Sequence, residues 1–108
     1  MELHKQKCVP CEGGVPTLTS NQTKNYLKKT PKWKAIKNHH LYREFKFKDF
    51  KSALKFVNKV GKIAEREDHH PDIYFGWGFV SIQTYTHAIK GLSANDFILA
   101  AKINRIKI

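Results

Sequence analysis

The chain has 108 residues, of which 41% are hydrophobic and 12% aromatic, so it fits one globular domain and is not intrinsically disordered. No apolar run approaches the ~18 residues of a membrane span, and the first residues lack the apolar stretch of a signal peptide, so we expect a cytoplasmic protein without a membrane partner. Residues 24–62 hold 13 of the 20 Lys and Arg and only two acids, which accounts for the whole net charge of +11. Such a segment can attract an anionic partner, but no nucleic-acid motif accompanies it. We interpret it as a solvated lysine-rich surface and do not expect nucleic acid as a partner.

Residues 1–17 are predicted to form an irregular N-terminal arm, followed by a single domain over residues 18–108. The arm contains Cys8 and Cys11 as a lone Cys-x-x-Cys pair. This pair lacks the second half of a zinc site, although His4 could be a third ligand, and no predicted strand precedes it as in thioredoxin-like proteins. A metal or redox role for the arm therefore stays open as an alternative.

The first predicted helix begins at Thr19, because Thr19 and Gln22 have the spacing of a capping box. It ends before Pro31, since proline disfavours helix at the residue that precedes it. Two strands are predicted next, at 33–36 and 41–47, with a turn at 37–39. In the second strand apolar and polar residues alternate, which is typical of a half-buried strand, although Arg43 falls on the apolar face.

The long helix predicted at 49–66 is the least ambiguous element. Asp49 can cap its N-terminus. Apolar residues then recur at three- and four-residue steps and form one stripe: Phe50, Ala53, Leu54, Val57, Val60 and Ala64. Two further strands are predicted at 73–77 and 79–87, and Ser93 with Asp96 has capping spacing for a last helix at 94–106.

This order predicts an α+β two-layer sandwich. A four-stranded antiparallel sheet has helices packed on one face, in the order α-β-β-α-β-β-α. His87 is placed on the polar face of the last strand. Trp77 is expected to be a packing residue because of its position in a strand.

His69 and His70 form the motif with the clearest chemistry, because Pro71 fixes them in a corner and acids flank them. A histidine can give or take a proton near neutral pH, so this pair and His87 are candidates for acid–base catalysis. Two alternatives remain at this point. The pair could be an ordinary solvated turn, or the three imidazoles could bind zinc. Glu65 and Asp96 also have structural explanations, as a helix-surface acid and a helix cap.

The spacing of these residues resembles the pterin-4a-carbinolamine dehydratases. The similarity runs over about residues 18–107 and rests on the series Glu65, His69-His70-Pro71, Trp77, Thr86-His87, Gly91-Leu92-Ser93 and Asp96. The upstream positions Trp33, Leu41, Phe45, Phe47, Phe50, Ala53, Phe56 and Ala64 also resemble that family.

The resemblance implies dehydration of 4a-hydroxytetrahydropterin to quinonoid dihydropterin by histidine acid–base catalysis, with no cofactor and no metal. It implies catalytic roles for His69, His70 and His87, with His70 and His87 as the principal acid–base pair and His69 orienting the substrate. The implied substrate-binding residues are Glu65, Asp68, Pro71, Tyr85, Thr86 and Asp96. It also implies a homo-oligomer, dimer or tetramer, and a functional link to an aromatic amino acid hydroxylase. A binding role is the competing function, since animal members also act as dimerisation cofactors for a homeodomain transcription factor.

Overall fold

A computed structural model describes residues 2–10, 13 and 15–108. The helices are α1 (Ser20–Leu27), α2 (Phe50–Glu67) and α3 (Ala94–Asn104), and the strands are β1 (Lys34–Ile36), β2 (His40–Lys46), β3 (Asp72–Gly76) and β4 (Phe79–Thr84). The order is α-β-β-α-β-β-α, which confirms the predicted α+β fold. No helix within the described residues is both long and apolar enough to cross a membrane.

The four strands form one antiparallel sheet in the order β1-β2-β4-β3. The register pairs Leu41 of β2 with Thr84 of β4, and Asp72 of β3 with Gln83 of β4. The start of β2, the start of β3 and the end of β4 therefore lie at the same end of the sheet. We call this the histidine end, because His40 begins β2 and because His69 and His70 are separated from β3 only by Pro71.

The core lies between one face of the sheet and the helices. Alternating residues of β2 and β4 point into it, so that Leu41, Val80 and Ile82 have no exposed surface. Ala53, Val60 and Ala64 of the predicted α2 stripe are buried, and Phe56 packs beside them, whereas Phe50 and Leu54 of that stripe are exposed. Arg43 is half-buried, and its guanidinium lies 4.0 Å from the centroid of the Phe45 ring. Burial lowers the pKa of Arg43.

All three predicted helix starts are confirmed by their caps. The Thr19 side chain accepts a hydrogen bond from the Gln22 amide, and the Gln22 side chain accepts one from the Thr19 amide. The Asp49 side chain accepts from the Ser52 amide at 2.8 Å, and hydrogen bonds from Ser52 hold the pKa of the Asp49 carboxyl below its usual value. The Ser93 hydroxyl accepts from the Asn95 amide.

Two expectations were wrong in detail. The predicted strand at 79–87 ends at Thr84, and His87 instead begins a 3₁₀ turn, His87–Ile89. The strand stops because the Thr86 amide bonds to the Gly91 carbonyl at 2.8 Å, which folds the chain back on itself. Trp77 was expected to pack, but it lies in the turn between β3 and β4 and is 72% exposed.

The described part of the N-terminal segment packs on α3. Residues Leu3–Lys5 form a 3₁₀ turn, and Leu3 belongs to the core cluster. Farther on, the Cys8 amide donates to the buried Glu67 carboxylate at 2.9 Å, and Asn95 exchanges two hydrogen bonds with the backbone of Val9. The division into residues 1–17 and 18–108 remains a prediction.

Candidate active site at the histidine end of the sheet

The centre of the site is the carboxylate of Asp96, which has no exposed surface. One oxygen, Oδ1, lies 2.7 Å from His69 Nε2 and accepts from the Thr84 hydroxyl at 2.8 Å. The other, Oδ2, accepts from the Thr86 hydroxyl at 2.9 Å and from the Ser93 amide at 3.0 Å. A single buried carboxylate thus joins the segment before β3, the end of β4 and the start of α3.

The local sequence explains how this carboxylate reaches its position. Ser93 and Asp96 form the capping box of α3, so Asp96 lies in the first helical turn, where the backbone amides favour negative charge. Thr84 ends β4 on its buried face and presents its hydroxyl to the start of this helix. Asp96 therefore is a helix cap, as expected, and also the hydrogen-bond partner of a histidine.

The contact with Asp96 fixes the orientation of the His69 ring, whose side chain is 11% exposed. Because the ionised Asp96 carboxylate can only accept hydrogen bonds, Nε2 of His69 must carry the proton in this contact. In the neutral imidazole Nδ1 is then the unprotonated nitrogen, and it is the one available for proton transfer. Within the described residues, no other hydrogen bond to this ring is found.

His70 is much more accessible than His69. Its Nε2 lies 3.4 Å from Glu65 Oε1, and the two side chains are 52% and 81% exposed, so this pair is a weak, solvated contact. His70, Glu65 and Pro71 line one end of an open groove of about 720 Å³ that runs along α2. A small molecule can therefore reach His70 from solvent.

His87 is exposed, and its ring makes an edge contact with Tyr85 at a centroid distance of 4.5 Å. The Tyr85 ring also contacts the His39 ring, at a centroid distance of 4.7 Å. His39 in turn lies against His40, whose pKa is lowered by burial and then by the charges of His39 and Lys37. An aromatic row thus extends from the turn before β2 to His87.

The other predicted site residues take different positions. Asp68 ends α2 in the left-handed conformation, with φ of 52°, and its side chain is exposed. Thr86 is buried, and its hydroxyl and amide are both bonded within the protein. No direct contact between the three imidazoles His69, His70 and His87 is found in the part of the chain that the structure describes. What brings their segments together is the sheet register and the Asp96 carboxylate.

The metal alternatives find no support in the geometry. Among residues 2–10, 13 and 15–108, no group of three or more His, Cys, Asp or Glu side chains is placed to hold a metal ion. Cys11 lies outside the described residues, so the Cys8–Cys11 hypothesis is tested only at Cys8. Burial, followed by the charges of Glu67 and Asp96, raises the pKa of the Cys8 thiol to about 12. A thiol of this kind stays protonated at neutral pH, whereas metal binding and redox chemistry need the thiolate.

Sequence reasoning missed Thr84 and His39. Thr84 follows Val80 and Ile82 on the inward face of β4. Because a buried hydroxyl needs a hydrogen-bond partner, the alternation along β4 could have indicated that Thr84 bonds to a buried polar group. The contact between His39 and Tyr85 depends on the pairing of β2 with β4, which no local pattern in the sequence encodes.

These features define the chain as a small two-layer α+β domain with a buried aspartate–histidine pair and exposed imidazoles at one end of its sheet. The sequence pattern of the family described as pterin 4 alpha carbinolamine dehydratase matches residues 16–106. The chain therefore belongs to the pterin-4a-carbinolamine dehydratase family. Membership supports dehydration of the pterin carbinolamine as its activity.

Individual relatives agree with this assignment. Two bacterial proteins provisionally named pterin-4-alpha-carbinolamine dehydratase are similar over nearly their whole length. The protein of Rubrobacter xylanophilus is 48% identical over 97% of this chain and 98% of its own. The protein of Alkaliphilus metalliredigens is 49% identical over 95% of this chain and 94% of its own. A crystal structure described as a transcriptional coactivator/pterin dehydratase from Brucella melitensis superposes with a TM-score of 0.77 at 30% identity, and the match covers 82% of this chain and 95% of that one.

Proposed function

We propose that the chain dehydrates 4a-hydroxytetrahydropterin to quinonoid dihydropterin by histidine acid–base catalysis, without a metal or cofactor. The observation that carries the proposal is the Asp96 network. It fixes the ring of His69 at the same end of the sheet at which His70 and His87 face solvent.

The reaction removes water from the pterin. A base takes a proton from a ring nitrogen, an acid protonates the 4a-hydroxyl, and water leaves as the carbon–nitrogen double bond forms. We assign these two steps to His70 and His87, because both are accessible and neither ring is held by a buried partner. The nearly buried His69 orients the substrate, with Nδ1 as the atom that accepts a hydrogen bond from it.

The remaining predicted residues fit supporting roles. Asp96 acts through His69 and is a positioning residue, because it has no exposed surface. Thr86 in turn positions Asp96. Tyr85, Asp68 and Glu65 are proposed to bind the pterin, since each is at least partly exposed at the histidine end, and Pro71 holds His70 extended.

The test is the rate at which purified protein removes the 4a-carbinolamine, followed by absorbance. We expect acceleration that is unchanged by a metal chelator or by added nucleotide, because the proposed site uses only imidazoles. Loss of activity on chelation that returns with one metal would contradict the metal-free mechanism. No acceleration at all would contradict the proposed function itself.

The proposed physiological role is recycling of the pterin cofactor of aromatic amino acid hydroxylases in the cytoplasm. The quinonoid product is the form that a reductase can return to the tetrahydropterin. Co-purified hydroxylase activity that slows when this protein is removed would support the link, and no change in its rate would contradict it.

We also propose that the chain forms a homo-oligomer. The strand β3 is at the edge of the sheet, and large apolar side chains near it and on α2 are exposed: Tyr74, Trp77, Phe50 and Leu54. Exposed apolar surface beside an open strand edge favours association. Light scattering should therefore give a mass of at least twice the 12.5 kDa of the chain, and a monomer mass would contradict the proposal.

A further inference from the structure

A second concave site lies at the opposite end of the sheet from the histidines. It is a pocket of about 370 Å³ between the end of β2, the first half of α2 and the last two residues of the chain. The seven residues of β2 separate this pocket from the histidine end by about 20 Å. The proposed dehydration does not use it. We call it the lysine pocket.

The charge of the lysine pocket is one-sided. Five lysines line it, and no acidic side chain does so among the described residues: Lys46, Lys48, Lys55, Lys59 and Lys107. Lys46 is paired with Glu44 at 2.8 Å, and Lys59 Nζ donates to the Lys107 carbonyl at 3.3 Å. In the part of the chain that the structure describes, Lys55 and Lys107 have no carboxylate within 4.0 Å, and neither has Lys48, whose charge acts at longer range on the adjacent Asp49 carboxyl. Like charges gathered in one concavity repel one another, and an anion between them relieves that repulsion.

The remaining lining of the pocket is apolar. Phe47 and Phe56 are in ring contact at 5.2 Å, and Ile108, which is 79% exposed, lies at the rim. Phe47 is partly exposed, so an aromatic surface is available beside the ammonium groups. A bare inorganic anion would leave this surface unused, whereas a ligand with a ring next to its charges would cover it.

We propose that the lysine pocket binds a small phosphorylated ligand that carries an aromatic ring, of the size of a nucleoside diphosphate. The volume lies within the range of small-molecule sites. Lysine binds phosphate as a point charge and needs no fixed geometry, which suits flexible side chains around an open rim. The ring stacks on Phe47, and the phosphates lie among Lys48, Lys55 and Lys59.

The test is calorimetric titration of the full-length protein with ADP, pyrophosphate and adenosine at about 0.15 M salt, where long-range attraction is screened. ADP should bind at one site per chain, more tightly than pyrophosphate, and adenosine should not bind detectably. The variant Lys55→Gln/Lys59→Gln should weaken ADP binding by about tenfold, because it removes two of the charges. The control Lys24→Gln/Lys28→Gln has the same net charge but lies on α1 and its end, and its affinity should change by less than about threefold. Both variants should keep the dehydration rate of the unmodified chain.

Three results would overturn the proposal. The first is no binding of ADP. The second is equal weakening in the two variants, which would show that net charge alone attracts the anion, as it would attract any nucleic acid. The third is adenosine or pyrophosphate binding as tightly as ADP. Tight binding of adenosine would show that the lysines do not contribute to affinity, and tight binding of pyrophosphate would show that the aromatic surface does not.

Discussion

Replacing His70 or His87 by alanine should lower the dehydration rate by about a hundredfold or more, which is the usual contribution of a positioned acid or base. Each variant removes one of the two accessible imidazoles to which we assign the proton transfers. Neither side chain is held by a buried partner, so the fold should be unaffected. Single-turnover rates with saturating carbinolamine measure the chemical step directly.

The control for these variants is His4→Ala. His4 lies in the N-terminal segment, where it contacts Glu2 at 3.4 Å, and the mechanism gives it no role. Its removal should leave the rate unchanged. A full rate in both the His70 and the His87 variants would remove these two residues from the mechanism. A loss in only one of them would leave that histidine as the sole proton carrier.

Changes at Asp96 should affect both stability and catalysis. Asp96→Ala leaves the His69 ring and the hydroxyls of Thr84 and Thr86 without their buried acceptor and removes the Asp96 half of the α3 capping box. We expect the free energy of unfolding to fall by about 3 kcal/mol or more, as for other buried, hydrogen-bonded carboxylates. Urea unfolding measures this loss.

Asp96→Asn keeps the shape and part of the hydrogen bonding, and so tests the catalytic role in a folded protein. Its amide nitrogen can face His69 only if the proton of the imidazole moves from Nε2 to Nδ1. We therefore expect a rate at least about tenfold lower and a changed pH–rate profile, because the site now has the wrong tautomer. The matched control is Asp72→Asn, an exposed carboxylate at the start of β3. If Asp96→Asn keeps the rate and profile of the control, then Asp96 is only a structural cap.

Much of the fold follows from local patterns. The three- and four-residue spacing along α2 and the capping residues Thr19, Asp49 and Ser93 mark helices by interactions within a few residues, so the sequence is sufficient for them. The predicted end of β4 was wrong because the turn at His87–Ile89 depends on the hydrogen bond between the Thr86 amide and the Gly91 carbonyl. The residue types at 85–87 are also common in strands, so the local sequence does not show where β4 ends. The 3₁₀ turn at Leu3–Lys5 packs on α3, although the two segments lie near opposite ends of the sequence. Local sequence patterns contain no information on such a contact.

The sequence proposes the residues of the candidate site, and their roles stay a prediction, but it does not give the contacts between them. The resemblance already favoured His70 and His87 as the acid–base pair and His69 as the orienting residue, and the structure adds a difference in burial: His69 is held by a fully buried carboxylate, whereas His70 and His87 face solvent. Since both arrangements are compatible with the same His-His-Pro motif, only the three-dimensional structure distinguishes an oriented imidazole from an accessible one.

The most direct measurement is the carbinolamine dehydration rate of the unmodified chain beside that of a His70→Ala/His87→Ala double variant, both in the presence of a metal chelator. We expect the unmodified chain to accelerate the reaction under these conditions, and we expect the double variant, if circular dichroism shows it to be folded, to add little to the uncatalysed rate. A double variant that dehydrates the carbinolamine as fast as the unmodified chain would contradict this expectation.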